Sequence, residues 1–271
     1  EIWSPGASFA DKRAAFLGLA HEYYQPELVT EEQVAAGALA HYDALYVLDP
    51  VVASAARKSI GEWLAAGGLL WTSADALTRD EYNMPDDFLL KTAGLTRSPA
   101  GEGKRDSYLV PADGENAIRE HPTLDTPIKV ACPDSRIRAR YRDGRAAWLE
   151  KSVGKGRLVY LAHRGGSSYT ARAIRLSGFE VIWADPGREP LVLPLKEAGV
   201  ARELTLSEPV IMASPMSTAT GTVIVLYNMQ PRPVTNLVID LKEPAPPVGV
   251  QTFNGLDLVD LPFEYRAGRV A

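Results

Sequence analysis

The side chains that could do chemistry follow two apolar segments of the chain, where strands of an α/β sheet would end. Thr72-Ser73-Ala74-Asp75 follows one segment and Asp49-Pro50 follows the other. In open α/β sheets, ligands bind in the crevice outside the carboxyl ends of the strands. A serine there could act as a nucleophile, and carboxylates could act as general acids or bases. These residues are therefore the first candidates for a pocket.

Two further groups belong to the same predicted crevice. Ser4 follows the short apolar pair Ile2-Trp3, and Asp80-Glu81-Tyr82 lies just beyond Asp75. Paired acids can hydrolyse glycosides or bind a cation. The competing interpretation is local, because Asp and Ser are favoured as caps and turn residues, and Arg79 could lock the loop by an ion pair. The predicted ligand-binding set is Ser4, Asp49, Ser73, Asp75, Asp80, Glu81 and Tyr82.

Ser73 and His163 are the candidate catalytic residues if the chain is an enzyme. A nucleophile elbow needs a strained turn with the pattern G-x-S-x-G, and the flanking glycines are absent around Ser73. His163 follows a third apolar segment and could serve as a general base. Cys132 lies outside the elbow and is expected to be a small buried hydrophobe. No histidine spacing typical of a metal site is present, so no metal or cofactor is predicted.

The elements that would position these side chains form one α/β unit. Two continuous apolar runs, Ala44–Leu48 and Leu69–Thr72, are typical of strands buried on both faces. Val52–Ala66 lies between them and carries its apolar residues on one helical stripe. Gly67-Gly68 ends this helix, since glycine tolerates the left-handed conformation after a helix. The pattern predicts adjacent parallel strands joined by a right-handed helical crossover.

Other local signals extend this pattern through residue 199. An antiparallel hairpin is predicted from Ile137–Tyr141, the turn Asp143-Gly144 and Ala146–Leu149. Residues 97–126 are rich in glycine, proline and charge and are predicted to be mostly loop. Helices are predicted at Ser8–Tyr24, Thr30–Ala40, Pro85–Gly94, Tyr169–Leu176 and Leu191–Ala198.

After Gly199 the pattern becomes all-β, with short strands at the spacing of a sandwich. We therefore predict two domains. Residues 1–199 form an α/β domain with a doubly wound, mostly parallel sheet and an antiparallel hairpin. Residues 200–271 form a β-sandwich. The predicted strands are Arg202–Leu206, Val210–Ala213, Thr222–Tyr227, Asn236–Leu241, Val248–Phe253 and Leu258–Tyr265.

Composition excludes several classes of partner. The chain has 271 residues and a formal net charge of -5, which argues against a nucleic-acid or anionic-membrane surface. No apolar run reaches the length of a membrane span. One cysteine excludes an internal disulfide. The chain begins at Glu1 rather than Met, so we expect a processed product or a piece of a longer protein.

Three segments carry a family resemblance: YDALYVLDP, EWLAAGGLLWTSADALTRDEYN and GKGRLVYLAHRGG. They resemble the class I glutamine-amidotransferase-like, flavodoxin-like domain, in the version that follows the catalytic barrel of β-galactosidases and related glycoside-hydrolase-type proteins. That version is often called a trimerisation domain, and a small β-sandwich after it also fits. True amidotransferases need an elbow cysteine and a downstream His-x-Glu. This chain has Ser73-Ala74-Asp75 and His163-Arg164-Gly165 instead, so glutamine hydrolysis is not expected.

The resemblance implies a non-catalytic accessory or assembly module of a carbohydrate-active protein. Its partners would be further copies of the chain or a missing catalytic domain, with a carbohydrate as candidate ligand. Two alternatives stay open. One is a hydrolase that uses His163 with Ser73 or with the Asp80 and Glu81 carboxylates. The other is a sugar-binding module, which would need exposed aromatic rings such as those of Trp3 or Tyr82.

Overall fold

The computed structural model describes residues 6–98, 106–124, 128–171, 173–175, 181–183 and 185–271. The chain divides into two compact units. The first comprises Glu1–Gly18, Glu27–Ile174 and Trp183–Val200, and the second comprises Leu19–Pro26, Arg175–Ile182 and Ala201–Ala271. The assignment of two domains at 1–199 and 200–271 stays a prediction.

Six α-helices lie in the described residues, together with short 3-10 helices at Ala38–His41 and Asp185–Arg188. They are α1 (Gly6–Ala20), α2 (Glu31–Ala35), α3 (Ser54–Ala66), α4 (Phe88–Ala93), α5 (Gly165–Thr170) and α6 (Glu189–Glu197). Thr30 and Gln33 form the predicted capping box at the start of α2. Gly67 ends α3 with a φ of 139°, as glycine at this position allows. No helix among these is long and apolar enough to cross a membrane.

The first unit contains a seven-stranded mixed sheet in the order β1-β2-β9-β8-β7-β4-β5, and a separate antiparallel pair, β3 and β6. β1, β2 and β9 run parallel, and the remaining neighbours in the seven-stranded sheet are antiparallel. The strands of this unit are β1 (Ala44–Val47), β2 (Leu69–Ser73), β3 (Thr96–Ser98), β4 (Asp106–Pro111), β5 (His121–Leu124), β6 (Lys129–Ala131), β7 (Arg136–Tyr141), β8 (Ala146–Val153) and β9 (Gly156–Leu161).

The predicted βαβ unit is confirmed. Ala44 of β1 pairs with Leu69 of β2 in a parallel register, and α3 lies between the two strands in sequence. The predicted hairpin is also present, as β7 and β8, with Gly144 at a φ of 87° in the turn. Every residue of β2 is buried, so this strand lies at the centre of the core.

Two local predictions were wrong. The described part of the segment predicted as mostly loop, residues 97–98 and 106–124, lies largely in strands, since β4 and β5 form the antiparallel edge of the main sheet. Pro122 in β5 is compatible with this position because an edge strand tolerates a residue without an N–H. The helix predicted at 169–176 ends at Thr170, and Ile174-Arg175 is extended. The helix begins earlier, at Gly165. Gly166 lies directly against α1, where a Cβ on Gly166 would lie 2.2 Å from the Asp11 carbonyl oxygen.

Helix ends also differ from the sequence prediction. The Ser8 and Asp11 pattern does not start α1, which begins at Gly6 and places both residues inside the helix. α4 begins at Phe88 rather than Pro85, because the Asp87 side chain caps it by accepting from the Leu90 N–H. Pro85 therefore lies before the N-cap residue of α4 and not in the first turn of the helix.

The second unit is built mainly from antiparallel strands. They form a four-stranded sheet in the order β12-β15-β19-β18 and three separate pairs, β10-β11, β13-β14 and β16-β17. Its core contains Tyr23, Leu204 and Ala213. The flavodoxin-like and sandwich assignments stay predictions. The strands are β10 (Ile174–Arg175), β11 (Val181–Ile182), β12 (Leu204–Leu206), β13 (Ile211–Thr218), β14 (Gly221–Asn228), β15 (Ile239–Lys242), β16 (Gln251–Phe253), β17 (Leu258–Asp260), β18 (Tyr265–Arg266) and β19 (Arg269–Val270).

Candidate functional site

The carboxyl end of β2 has an unusual backbone. Ala74, directly after Ser73, adopts a left-handed conformation with a φ of 48°. Its N–H donates to the Leu161 carbonyl at 2.8 Å, and its own carbonyl accepts from the Tyr160 hydroxyl at 2.6 Å. A strained residue at a strand end is where a nucleophile elbow would hold its nucleophile. Here the strained position carries a methyl group, and a turn rather than a helix follows it.

Asp11 is the buried carboxylate at this edge of the sheet. Its side chain accepts from the Ser167 N–H at 2.7 Å and from the Ser73 hydroxyl at 3.3 Å. The first contact caps α5, whose own N-cap residue, Arg164, makes no side-chain cap. Burial raises the pKa of Asp11 to about 6, and the bonds from Ser167, the charge of Arg164 and the bond from Ser73 oppose this rise.

Sequence reasoning missed the role of Asp11 because it treated the residue as a helix-start signal. A different signal was available in the same helix. Ser8, Ala14 and Ala15 are small residues three or four positions from Asp11, so they share its face of the helix. The structure buries all four almost completely. An aspartate on a stripe of small buried residues must have a partner across the interface, since an unpaired buried charge is costly.

Two of the predicted site carboxylates lie at this edge in ion pairs with cationic side chains. Asp49 accepts from the Lys12 ammonium at 3.0 and 2.9 Å, which joins the end of β1 to α1. Asp75 lies 3.2 Å from the Arg164 guanidinium, just before α5. The structure therefore brings Ser73, Asp75 and Asp49 to the carboxyl ends of β1 and β2, as predicted. Their measured contacts join the strands to the neighbouring helices.

The Asp80-Glu81-Tyr82 segment is held by backbone and hydroxyl donors. Asp80 accepts from the Tyr82 and Met84 N–H groups at 3.0 and 2.8 Å. Glu81 accepts from the Ser54 N–H at 2.8 Å and from its hydroxyl at 2.9 Å, which caps α3. Hydrogen bonds from its own backbone N–H and from Ser54 lower the pKa of Glu81.

The remaining features of this loop concern its arginine and its tyrosine. The Arg79 guanidinium donates to the Asn83 backbone carbonyl at 2.9 Å, so the described contact of Arg79 within the loop is with the backbone and not with a carboxylate. Tyr82 is 80 % exposed, which a sugar-stacking surface would require. Ser4 and Trp3 lie outside the described residues, so their predicted part in the crevice stays a prediction. The role of the other predicted site residues in ligand binding also stays a prediction.

His163 follows the carboxyl end of β9 and is almost completely buried. Its Nδ1 lies 2.9 Å from the Tyr141 hydroxyl. Within the described part of the chain its Nε2 has no hydrogen-bond partner, and no hydrogen bond joins it to Ser73. Burial, with a contribution from His121, lowers the pKa of His163 to about 3, so the ring is neutral at physiological pH. The Ser73 and His163 pair of the hydrolase alternative is not assembled by the described contacts.

No group of three or more metal-ligating side chains occurs within the described ranges. Cys132 is half-buried, with its sulfur 3.5 Å from the Ala93 carbonyl oxygen, and burial raises the pKa of its thiol. This thiol is therefore poorly suited to nucleophilic attack, because the thiolate is the reactive form.

A surface cleft lies at the opposite end of the parallel strands. It has a volume of about 260 Å³ and is bordered by Asp43, Lys155, Arg157 and glycine backbone. Arg157 donates to the Pro194 carbonyl and lies 3.5 Å from Glu197, so its guanidinium is already occupied by the protein. None of the side chains predicted as site residues borders this cleft, because they lie at the carboxyl ends of the strands.

We expect Asp11→Asn to stabilise the protein at neutral pH. The folded state holds Asp11 at a pKa of about 6 against an ordinary value of 3.8, so acidification through this range favours the folded protein. At pH 7.5 the charged form therefore costs about 3 kcal/mol, while asparagine keeps the acceptor for Ser167. Urea unfolding should show a gain of about 1–3 kcal/mol at pH 7.5 and none at pH 4.

Asp75→Asn is the matched control, because Asp75 is a carboxylate of the same edge that is 47% exposed. It should show no gain at either pH. A loss of stability in Asp11→Asn at pH 7.5 would mean that the charged carboxylate is needed for the α5 cap.

No protein-family model and no curated protein matches the chain. Solved structures do match. A GH42 β-galactosidase from G. stearothermophilus shares 12% identity at a TM-score of 0.64, over 96% of this chain and 35% of that one. An α-L-fucosidase isoenzyme 2 from Paenibacillus thiaminolyticus shares 14% at 0.64, over 96% and 42%. A β-galactosidase from Bacillus circulans sp. alkalophilus shares 12% at 0.62, over 82% and 31%.

At these identities the likeness shows the fold alone, a fold that also occurs within these three proteins. The chain spans about a third to two fifths of the length of these three proteins.

Proposed function

We propose that this chain is a non-catalytic accessory or assembly module of a glycoside-hydrolase-type, carbohydrate-active protein. One observation carries the proposal: 96% of the chain matches 35% of a GH42 β-galactosidase in structure. A chain that corresponds to part of a larger enzyme fits the role of one module beside a catalytic one. The finer proposal is the amidotransferase-like trimerisation domain that the sequence segments resemble.

The geometry at the carboxyl ends of the strands supports a non-catalytic role. Ser73 is 2% exposed, and its hydroxyl is directed to the equally buried Asp11. A nucleophile must reach a substrate carbonyl or anomeric carbon, and this hydroxyl lies inside the packed interface of β2 and α1. The left-handed position after β2 holds Ala74, which has no nucleophilic atom.

The same geometry argues against glutamine hydrolysis. Nucleophilic catalysis needs a nucleophile and a base within hydrogen-bond reach. His163 is bonded to Tyr141, and the residue two positions after it is Gly165 rather than glutamate. The described contacts therefore supply neither the nucleophile nor the oriented base of an amidotransferase.

The test is an activity assay of the purified chain. Nitrophenyl β-galactoside, nitrophenyl α-L-fucoside and glutamine are incubated with it, and nitrophenol or ammonia is measured. We expect release no faster than in buffer, and the same from Ser73→Ala and Asp11→Asn. Hydrolysis of any of the three that disappears in Ser73→Ala, with folding intact by circular dichroism, would establish the hydrolase alternative and end the proposal.

A further inference from the structure

The turn between β16 and β17 contains Asn254-Gly255, the only Asn-Gly pair in the chain. The side-chain Oδ1 of Asn254 accepts from the Leu256 N–H and from the Asp257 N–H, both at 2.9 Å. The Asn254 N–H donates to the Asp257 carbonyl at 3.1 Å and closes the turn. Two backbone donors therefore converge on one side-chain carbonyl oxygen, which is the donor arrangement of an oxyanion hole.

A nucleophile for this carbonyl is available in the next residue, as the backbone nitrogen of Gly255. Within the described part of the chain, the Gly255 N–H donates to no acceptor. Glycine also leaves the nitrogen unshielded, because even an added Cβ would meet no atom within 4 Å. Every residue from Gln251 to Asp260 is exposed. Water and hydroxide therefore reach this N–H, and the turn can bend without displacing a packed core.

We propose that Asn254 is a self-modification site, at which the folded chain deamidates without the help of an enzyme. The Gly255 nitrogen loses its proton to hydroxide and attacks Cγ of Asn254. The new N–Cγ bond moves a carbonyl electron pair onto Oδ1, and the two N–H donors stabilise this negative charge more than they stabilise the neutral carbonyl. Collapse of the intermediate breaks the Cγ–Nδ2 bond, and the amide nitrogen takes a proton from water and leaves as ammonia.

This step produces a cyclic imide, which one water molecule opens by either of two routes. Addition at the former side-chain carbonyl gives aspartate, and addition at the backbone carbonyl gives isoaspartate. Both products add a carboxylate to a hairpin that already carries Asp257 and Asp260. Isoaspartate also lengthens the backbone by one carbon, next to the pairing of Phe253 with Leu258. The modification therefore changes the charge and the register of the hairpin, and no step depends on the proposed function.

Incubation of the purified chain in mildly alkaline buffer tests the proposal. The chain is then digested at acidic pH, mass spectrometry quantifies the acid at position 254, and an isoaspartyl methyltransferase detects the isoaspartate. We expect deamidation roughly fivefold faster in the folded chain than in the chain unfolded by guanidinium chloride at the same pH, because unfolding removes the two aligned donors. Asn228 is the internal control. Its Oδ1 accepts from one N–H and Met229 follows it, so it should stay intact.

Substitutions of Leu256 separate the donor arrangement from the Asn-Gly pair itself. Leu256→Pro removes one of the two N–H donors and Leu256→Ala keeps it, and neither removes core packing because Leu256 is 86% exposed. We expect Leu256→Pro to slow deamidation of the folded chain roughly threefold and Leu256→Ala to match the wild type. Asn254→Gln should abolish the product, which assigns it to this site. A folded wild type that reacts no faster than the unfolded chain, or equal rates in the two Leu256 variants, would overturn the proposal.

Discussion

Arg138→Met is expected to lower the free energy of unfolding by about 3–5 kcal/mol. Arg138 is 1% exposed and lies at the centre of a buried ion network. Its guanidinium donates to Glu115 at 2.9 Å, to Glu150 at 3.0 Å and to Glu197 at 2.6 and 2.8 Å. It also stacks 4.8 Å from the Trp148 ring. Methionine would fill the space but remove the buried cation between Glu115 and Glu150. Glu115 would keep only the exposed Arg136, and Glu150 only Arg157 at 3.6 Å, so both buried carboxylates would lose their main partner.

Arg142→Met is the matched control on the same hairpin. Its ion pair with Glu120 is exposed, with side-chain accessibilities of 62% and 44%, so we expect a loss of less than about 1 kcal/mol. Urea unfolding of both variants at pH 7 measures the difference in midpoint. Arg138→Lys should also be unstable, because one ammonium cannot reproduce the fork that reaches three carboxylates. Equal losses in Arg138→Met and Arg142→Met would show that the network is solvated.

The sequence was sufficient for elements whose signals are local. The βαβ unit could be predicted because its two apolar runs, the stripe of α3 and the stop at Gly67 are all readable within 30 residues. The turn at Asp143-Gly144 was equally clear. β5 was not predictable, since Pro122 lowers its strand signal and its pairing with β4 depends on the sheet edge being available.

The roles of the site residues were harder to predict, because these residues contact partners that are far away in sequence. Asp11 binds a backbone group 156 positions away, and Arg138 binds Glu197 at a separation of 59. No local pattern contains such pairs. Ser73 was placed correctly at a strand end, but its burial against Asp11 could not be inferred without knowing where α1 packs. Glu81 was predicted as a ligand-binding acid, and its described contacts are with the N-terminus of α3.

His163 should make the protein sensitive to acid. Its folded pKa of about 3 lies below the ordinary value of 6.5, so the folded state binds fewer protons than the unfolded state between these limits. The stability contributed by the neutral ring is complete above pH 6.5 and is lost as pH falls toward 3. The slope approaches about 1.4 kcal/mol per pH unit below pH 6.5, which gives about 3 kcal/mol between pH 7 and 4.5.

His163→Gln should remove this slope, although it lowers stability at pH 7 by disturbing the packing around Tyr141. The measurement is urea unfolding of wild type and variant at pH 7 and 4.5. The destabilisation caused by the substitution should be about 3 kcal/mol smaller at pH 4.5 than at pH 7. His41→Gln is the control, because His41 is exposed and its removal should leave the pH dependence unchanged.

Asp11 acts in the opposite direction over the same pH range. Protonation of its carboxyl on acidification favours the folded state, whereas protonation of His163 favours the unfolded state. The two effects partly cancel in the wild type. The pH dependence of its free energy of unfolding is therefore smaller than either residue alone would cause. Asp11→Asn should therefore lose stability more steeply than the wild type between pH 6.5 and 4.5, and His163→Gln less steeply. Identical slopes in the three proteins would mean that neither group is titrated by unfolding in this range, and that the buried positions assigned to both side chains are wrong.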